Sequence, residues 1–246
     1  METERLILRR WEDSDAEDLF KYASDSDVGP IVGWPSHQSI DESRDVIKNV
    51  LNGAEVYAVC LKEDERAIGA IELKLNGHTD MTDRDDECEL GYWLGKPFWG
   101  QGIMPEAVKE MLRHAFEDCG MQKVWIGYYE GNTKSKRVQE KCGFKYQWRS
   151  ENVDVPLMHE KRTGHVSLMT REDWETMPEE KLKEVQSHIQ YIIFRDAGNV
   201  LTEMLTEEEI VEQLTKPMEK SDMGATTAAS VVSQRMREKY GSAASK

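Results

Sequence analysis

One stretch, residues 87–107, constrains the fold of this chain more than any other segment. It begins with a β-rich run at 87–94, continues through a loop that holds Gly100 and Gly102, and enters a helix at about Met104. Glycines let a backbone approach an anion closely, and the free amides at a helix N-terminus donate hydrogen bonds to it. The stretch therefore predicts a strand–loop–helix unit that holds a phosphate group, although Gly-x-Gly alone is equally typical of an ordinary tight turn.

Hydrophobic periodicity and capping signals divide residues 3–174 into strands and helices. The predicted order is β-α-α-β-β-β-α-β-α-β-β, an α/β (α+β) arrangement with a mixed sheet and helices on both faces. Strands are predicted at 3–10, 56–61, 67–75, 87–94, 124–129, 144–149 and 164–170, and helices after Asp13, after Ser39, from Met104 and over 132–142. Residues 28–36 and the segment between the last two strands are predicted as loops.

Charge and cysteine content limit the class of partner and the compartment. The 246 residues include 32 Lys+Arg and 47 Asp+Glu, a formal net charge of −15. This balance disfavours nucleic acid, which needs clustered cations, and suits a cationic amine or basic peptide, although solubility alone also explains it. The first residues lack the apolar run of a signal peptide, no stretch is long enough to span a membrane, and the four cysteines show no CxxC pair. We therefore expect a cytoplasmic protein with reduced thiols that binds neither nucleic acid nor membrane.

The segment 87–107 resembles motif A of the GNAT superfamily of N-acetyltransferases, in the form E-L-G-Y-W-L…W-G-Q-G-x-x-x-E-A that is typical of the Rim-type branch. Three other segments resemble the same branch in the same order: T-E-R-L-x-L-R at 3–9, N-x-x-S-x-x-V-x-x-K-x-G-F at 132–144, and the closing strand and tail at 167–174. Pro97 departs from the Gln or Arg that the superfamily often has there. The resemblance implies a GNAT domain over 1–174, with a mostly antiparallel sheet splayed between strands 4 and 5, and acetyl-CoA as co-substrate.

The resemblance also implies which residues hold the co-substrate. Backbone groups of residues 90–94 would pair with the pantetheine arm, and the amides from about 99 to 104 would hold the pyrophosphate. Asn132 would hydrogen-bond the pantetheine arm, with a plain helix N-cap as the alternative. The complete set is Leu90, Tyr92, Trp93, Leu94, Trp99, Gly100, Gln101, Gly102, Ile103, Met104, Asn132 and Ser135.

Acetylation of an amine requires removal of a proton, because an unperturbed amine titrates around pH 10, and protonation of the departing thiolate. Glu89 is the candidate general base, acting through a water, and Glu72 replaces it if Glu89 points away. The alternative readings of Glu89 are an exposed carboxylate on the rim of the strand or an ion-pair partner. Ser135 is the candidate proton donor by its match to N-x-x-S, whereas a serine at that place often only caps a helix.

The acceptor side is less determined by the sequence. By resemblance Trp34 faces the acceptor amine, although a core or lid role is as compatible, and Tyr128 is a substrate-binding residue or a substitute proton donor. The acidic run at 80–86 either attracts a cationic substrate or is a solvated loop. A protein N-terminal amine is the first expectation for the acceptor. A polyamine or aminoglycoside, and a non-catalytic acyl-CoA-binding regulatory module, are the alternatives.

Residues 175–246 resemble nothing in the family and form a separate C-terminal extension in this interpretation. Their pattern predicts helices at 178–189 and 200–215, followed by a linker-like stretch rich in Ser, Thr, Ala and Gly. A dimerisation element, a lid, a recruiting arm or a dispensable tail would all fit, so a homodimer is one expectation. The histidines are dispersed along the sequence, and we expect no metal.

Overall fold

The computed structural model describes residues 1–79 and 81–177. Within these ranges the chain forms seven strands and six α-helices. They are β1 (Leu6–Arg9), α1 (Ala16–Ala23), α2 (Gly29–Val32), α3 (Ile40–Asn49), β2 (Val56–Leu61), β3 (Ala67–Lys74), β4 (Glu87–Leu94), α4 (Ile103–Arg113), β5 (Lys123–Tyr129), α5 (Thr133–Lys141), β6 (Lys145–Val155), β7 (Glu160–Thr170) and α6 (Arg171–Glu175). The helices predicted at 178–189 and 200–215 lie outside the described residues, as does Asp80, and the domain boundary at 174 stays a prediction.

The strands form one sheet in the order β1-β2-β3-β4-β5-β7-β6. All neighbours are antiparallel except β4 and β5, which are parallel and are joined by the crossover helix α4. Their pairing comprises only Glu87 with Lys123, Cys88 with Val124, and Glu89 with Trp125. Beyond these pairs the two strands separate, so the mixed sheet and its splay between strands 4 and 5 are confirmed.

The sheet carries helices on both faces because its strands alternate their side chains between two apolar layers. Leu90 belongs to the larger core, together with Met111 and Leu112 of α4. Trp93 points to the opposite face and packs against the small cluster that includes Leu19 of α1 and Ile47 of α3. In the described part of the chain, no helix has both the length and the apolar character needed to cross a bilayer.

Two segments that were predicted as loops contain regular secondary structure. Residues 28–36 contain the short helix α2, which starts with a proline in its first turn and ends at Gly33 with a φ of 104°. The last two strands are longer than predicted and form a hairpin, in which Val153 pairs with Arg162 and Val155 with Glu160. Most of the added β6 residues are exposed, so this part of the strand lacks the apolar alternation on which strand prediction depends.

Candidate active site

The loop between β4 and α4 presents open backbone at the start of a helix. Gly100 and Gly102 have φ values of 79° and 73°, in the left-handed region that favours glycine. Gly102 is the N-cap of α4, so Ile103 and Met104 are the first residues of the helix. A Cβ atom added to Gly100 would meet no atom within 4 Å. This combination of accessible backbone and helix N-terminus can bind an anion without basic side chains.

Side chains around this loop fix its shape. Trp99 Nε1 donates to the carbonyl of Leu94 at 2.7 Å, and Gln101 Nε2 donates to the carbonyl of Pro97 at 2.8 Å. Both side chains therefore serve the loop itself, and ligand contacts from these positions fall to the backbone. Lys134, which the sequence interpretation missed, places its ammonium 4.3 Å from the centre of the Trp99 ring and adds a cation beside the loop.

A buried carboxylate fastens the first turn of α4 to the segment before β1. Glu106 is 6% exposed, and its Oε1 accepts hydrogen bonds from Thr3 Oγ1 at 2.5 Å and from the Arg5 amide at 2.8 Å. Its Oε2 accepts from Arg5 Nε at 2.7 Å, while Arg5 Nη1 donates to the carbonyl of Gln101 at 3.0 Å. The sequence interpretation assigned no role to these residues, although they lie in two of the segments that resemble the family.

A cavity of about 1070 Å³ lies where the two strands separate. It is lined by residues of β3, β4, β5 and the hairpin β6–β7, and by the segment around α2 and α3. The predicted site residues that line it are Trp34, Glu72, Glu89, Leu90, Tyr92, Trp93, Tyr128, Asn132 and Ser135. Leu94 and the loop residues 99–104 do not line it, so the site has an anion-binding part and a separate cavity.

The two candidate bases differ in their environment. Glu89 is directly opposite Lys74 in the sheet and accepts hydrogen bonds from Lys74 Nζ at 2.9 Å and from Thr79 Oγ1 at 2.6 Å. Glu72 is 3.9 Å from Lys74 Nζ and lies over Gly91, where an added Cβ atom would be 3.0 Å from its Oε1. Burial, together with the charge of Glu89, raises the pKa of Glu72 against the opposing effect of Lys74.

These contacts favour Glu72 over Glu89 as a base. The hydrogen bonds from Lys74 and Thr79 involve both carboxylate oxygens of Glu89, which matches the ion-paired reading of this residue. Glu72 has fewer contacts, a raised pKa and a position in the cavity lining. Sequence reasoning did not identify Lys74 or Thr79 as part of the site. The one available signal was that Lys74 follows Glu72 by two residues, which places both side chains on the same face of β3.

The hydroxyl of Ser135 faces the opening from the start of α5. Its Oγ is 2.9 Å from Tyr92 Oη, whereas its backbone amide donates to Asn132 Oδ1 at 3.1 Å. Asn132 therefore makes the helix cap, and the Ser135 side chain is not needed for it. Burial raises the pKa of Tyr92, so its phenol keeps its proton at neutral pH.

One turn further along the same face of α5 lies Gln139, which is 2% exposed. Neither Oε1 nor Nε2 of this amide has a hydrogen-bond partner among the described residues. An unsatisfied buried amide costs about 1–3 kcal/mol, so a group that hydrogen-bonds it would be stabilised there. The sequence interpretation assigned Gln139 no role.

Aromatic rings form much of the cavity wall. Trp34 makes an edge contact with Trp93 at 5.9 Å and packs so closely on Gly29 that no side chain would fit there. It is half-buried and lines the cavity as well as packing against its neighbours, and its position toward the acceptor amine stays a prediction. Tyr128 stacks on His165 with ring centres 4.7 Å apart.

The acidic run contributes no carboxylate to the cavity lining among its described residues. Asp85 accepts a hydrogen bond from Asn76, and Asp86 forms an ion pair with Arg84. The neighbouring Thr79 and Met81 line the cavity instead. The described part of the run thus matches the solvated-loop reading.

A mixed sheet that opens between parallel β4 and β5, beside an anion-binding helix N-terminus, defines the class as an N-acetyltransferase of the GNAT type. The family model of the acetyltransferase (GNAT) domain matches residues 5–145, and the chain therefore belongs to this family and is an acetyltransferase. An N-acetyltransferase named p20 from Bacillus licheniformis, described as uncharacterized, is 28% identical over 147 residues, which cover 58% of this chain and 80% of the relative. The ribosomal-protein-serine acetyltransferase of Escherichia coli is 29% identical over 118 residues, covering 46% and 63% respectively.

Solved structures share the fold. An acetyltransferase (GNAT family) from Bacillus anthracis superposes with a TM-score of 0.61 at 23% identity, over 70% of this chain and 98% of that one. Mycobacterium smegmatis RimJ, solved in complex with CoA-disulfide, gives a TM-score of 0.55 at 16% identity, over 68% and 83%. The GNAT fold is confirmed, and the names of the ribosomal-protein relatives bear out the Rim-type branch.

Proposed function

We propose that this chain is an acetyl-CoA-dependent N-acetyltransferase of the cytoplasm that acetylates the N-terminal amine of a protein. The observation that carries the proposal is the separation of β4 from β5 after Glu89 and Trp125. Residues of both separated strands line the same cavity as Glu72, and β4 leads directly into the loop before α4, so a thioester and an amine could meet there.

The residues present fit acetyl-CoA on three counts. Gly100 and Gly102 leave the loop backbone accessible for a pyrophosphate, and Lys134 lies beside it. The β4 backbone beyond Glu89 is not paired with β5, so it can pair with the amides of a pantetheine arm. The buried amide of Gln139 lacks a partner among the described residues, which is the kind of group that a bound ligand satisfies.

Bound acetyl-CoA would supply an activated acetyl group and a thiolate leaving group. Glu72, whose pKa is raised by burial, is the residue suited to accept the proton of the substrate ammonium, directly or through a water. The neighbouring Glu89 accepts hydrogen bonds from Lys74 and Thr79. The Ser135 hydroxyl, hydrogen-bonded to Tyr92, is the proton donor on the thiolate side.

A protein N-terminal amine is the acceptor that the cavity lining and the relatives support best. The cavity of about 1070 Å³ also contains residues assigned to acetyl-CoA, such as Tyr92 and Asn132, so the acceptor would occupy only part of it. The aromatic lining around Trp34 suits an ammonium group, since a cation is attracted to the face of a ring. The name of the Escherichia coli relative, a ribosomal-protein-serine acetyltransferase, points to the same class of acceptor and to the cytoplasm.

The test is a thiol-release assay with acetyl-CoA and a panel of amines, using the full chain. Peptides with a free N-terminus should release CoA faster than polyamines or aminoglycosides. The same peptides with a blocked N-terminus and an internal lysine are the matched control. CoA release with polyamines or aminoglycosides alone would mean that the acceptor is a small cationic amine and not a protein N-terminus. Tight acetyl-CoA binding without release on any amine would overturn the catalytic proposal in favour of a binding module.

A further inference from the structure

A second cluster of chemically active side chains lies at the other end of α4. After Arg113 the helix continues as a wider π-helical turn, His114–Asp118, and such turns are frequent at functional sites. His114 Nε2 is 2.8 Å from Glu55 Oε2 and 3.4 Å from Cys119 Sγ. None of these three residues lines the cavity of the proposed active site. Sequence reasoning did not identify this group of possible metal ligands, because Glu55 is 59 residues from His114 along the chain.

The cluster has the composition of a zinc site. Thiolate, imidazole and carboxylate are the three ligand types that zinc uses, at about 2.3, 2.0 and 2.1 Å respectively. Tetrahedral geometry with these bonds separates the ligand atoms by roughly 3.3–3.6 Å. One ligand atom from each of Glu55, His114 and Cys119 lies within 4.8 Å of the other two. Small side-chain rotations are enough to bring the three around one ion.

The surrounding contacts orient the imidazole as a metal site requires. His114 Nδ1 is 2.9 Å from Asp118 Oδ2 and Nε2 is 2.8 Å from Glu55 Oε2, and because an ionised carboxylate only accepts hydrogen bonds, each nitrogen donates in these contacts. A zinc ion bound at Nε2 would displace the proton of that nitrogen and that of the Cys119 thiol, and would leave Nδ1 donating to Asp118. The other nitrogen, Nε2, is the one that faces Glu55 and Cys119. A carboxylate behind a histidine in this way is the usual outer-shell partner of a zinc ligand.

The remaining positions are also fixed. Tyr57 Oη donates to Glu55 Oε2 at 2.8 Å, and the Glu55 carbonyl accepts from the Leu73 amide at 2.9 Å. The Cys119 amide donates to the carbonyl of His114 at 2.9 Å, which places the thiol beside the imidazole. The side chains of His114 and Glu55 are 15% and 20% exposed, so an ion can reach them from solvent.

We propose that Glu55, His114 and Cys119 bind one Zn²⁺ ion, with water in the fourth position and Asp118 as the outer-shell partner of His114. The ion would join the residue before β2 to the end of α4. This site is independent of the proposed acetyl transfer, and its test does not use activity.

Cobalt(II) is the spectroscopic probe for the site. Titration of the full chain with Co²⁺ should produce thiolate-to-cobalt charge-transfer absorption that saturates at one ion per chain and disappears on addition of Zn²⁺. The absorption should be lost in Cys119→Ser and in His114→Gln. It should persist in His159→Asn, the matched control, because His159 is exposed and its φ of 52° suits asparagine.

Affinity separates coordination from packing. We expect Cys119→Ser to weaken Zn²⁺ binding at least about 100-fold, and Asp118→Asn, which keeps all three ligands, to weaken it about 10- to 100-fold. Far-UV circular dichroism checks that each variant is folded. Absence of a charge-transfer band in the wild type, or a band that survives in Cys119→Ser, would overturn the proposal.

A measurement on the unmodified protein covers the case in which the variants do not fold. Cys60, Cys88 and Cys142 are buried, and Cys119 is the partly exposed cysteine. Zn²⁺ should slow alkylation of Cys119 at least tenfold, as located by peptide mass spectrometry. An alkylation rate that Zn²⁺ leaves unchanged would count against the site.

Discussion

The two parts of the candidate active site differ in whether backbone or side-chain groups form them. The anion-binding part consists of the backbone of the loop with Gly100 and Gly102. The hydrogen-bonded pair of Arg5 and Glu106 supports this loop, because Arg5 also donates to the carbonyl of Gln101. The cavity consists of side chains from segments that are far apart in sequence, such as Trp34, Glu72 and Tyr128. A backbone site leaves a compact motif in one stretch of sequence, whereas a side-chain cavity leaves scattered residues that only the fold brings together.

The sharpest way to separate the two parts is to remove the proposed base. Glu72→Gln should lower kcat/KM about 100- to 10,000-fold, with little change in acetyl-CoA affinity, because the amide cannot accept the proton. Glu89→Gln is the matched control, and its effect should be at least tenfold smaller. A larger loss with Glu89→Gln would make Glu89 the base.

The pH profile of the same pair adds a second readout. Burial raises the pKa of Glu72, so the acid limb of kcat/KM should lie above the usual glutamate value of about 4.3. Activity should fall as pH decreases through this limb, since the protonated carboxyl cannot act as a base. The limb should be absent from the residual activity of Glu72→Gln, and its persistence there would assign it to another group.

Removing the support of the backbone part should cost stability. Glu106→Gln breaks a mostly buried pair with Arg5, and we expect a loss of about 2–3 kcal/mol in the free energy of unfolding. Glu110→Gln on the same helix is the control, because its contact is with the more exposed Arg113 and should contribute about 1 kcal/mol or less. Chemical denaturation measures both, and equal losses would mean that Glu106 has no special structural role.

A glycine-to-alanine substitution, which adds one methyl group, should affect acetyl-CoA binding in the proposed pyrophosphate loop and not in an ordinary turn. Gly100→Ala and Gly120→Ala both place alanine at a positive φ, 79° and 72°, where an added Cβ atom meets nothing within 4 Å. Each should cost about 1 kcal/mol in stability. Only Gly100→Ala should weaken acetyl-CoA binding, by about tenfold as measured by calorimetry, because only that loop is proposed to hold the pyrophosphate. Equal affinities would remove the loop from the binding site.

The smallest effect is expected where the two parts meet. Ser135→Ala should lower kcat by about tenfold or less and leave stability nearly unchanged, because Asn132 provides the cap of α5. Asn132→Ala should instead cost about 1 kcal/mol of stability. A stability loss in Ser135→Ala with normal kcat would show that the hydroxyl is structural.

Sequence reasoning predicted the parts of the fold whose signals are local. The strand–loop–helix at β4 and α4 follows from glycines, apolar periodicity and a helix start within one stretch. Helix α2 was missed because four residues with a glycine and a proline give no periodicity, and the outer half of the β6–β7 hairpin was missed because its residues are exposed. The hydrophobic pattern of a sequence indicates which residues are buried, so it does not predict helices or strands whose side chains are mostly exposed.

The site was predictable to the same extent. The backbone-binding residues and the two candidate bases followed from the family resemblance, but the preference for Glu72 depends on contacts from Lys74 and Thr79 to Glu89. The contact between Arg5 and Glu106 spans 101 residues, and the one between Glu55 and His114 spans 59. No spacing rule connects residues so far apart, and only the packing of α4 against the sheet brings them together.

The three residue pairs that join β4 to β5 make this sheet a two-part structure, with β1–β4 on one side and β5–β7 on the other. Beyond those pairs, the facing edges of β4 and β5 have no strand-to-strand hydrogen bonds with each other. If acetyl-CoA lies there as proposed, its pantetheine arm would lie between the unpaired edges of β4 and β5. The bound co-substrate would then connect the two parts of the sheet. Amide hydrogen exchange in β4 and β5 should then slow while acetyl-CoA is bound, because the bound ligand stabilises the folded state.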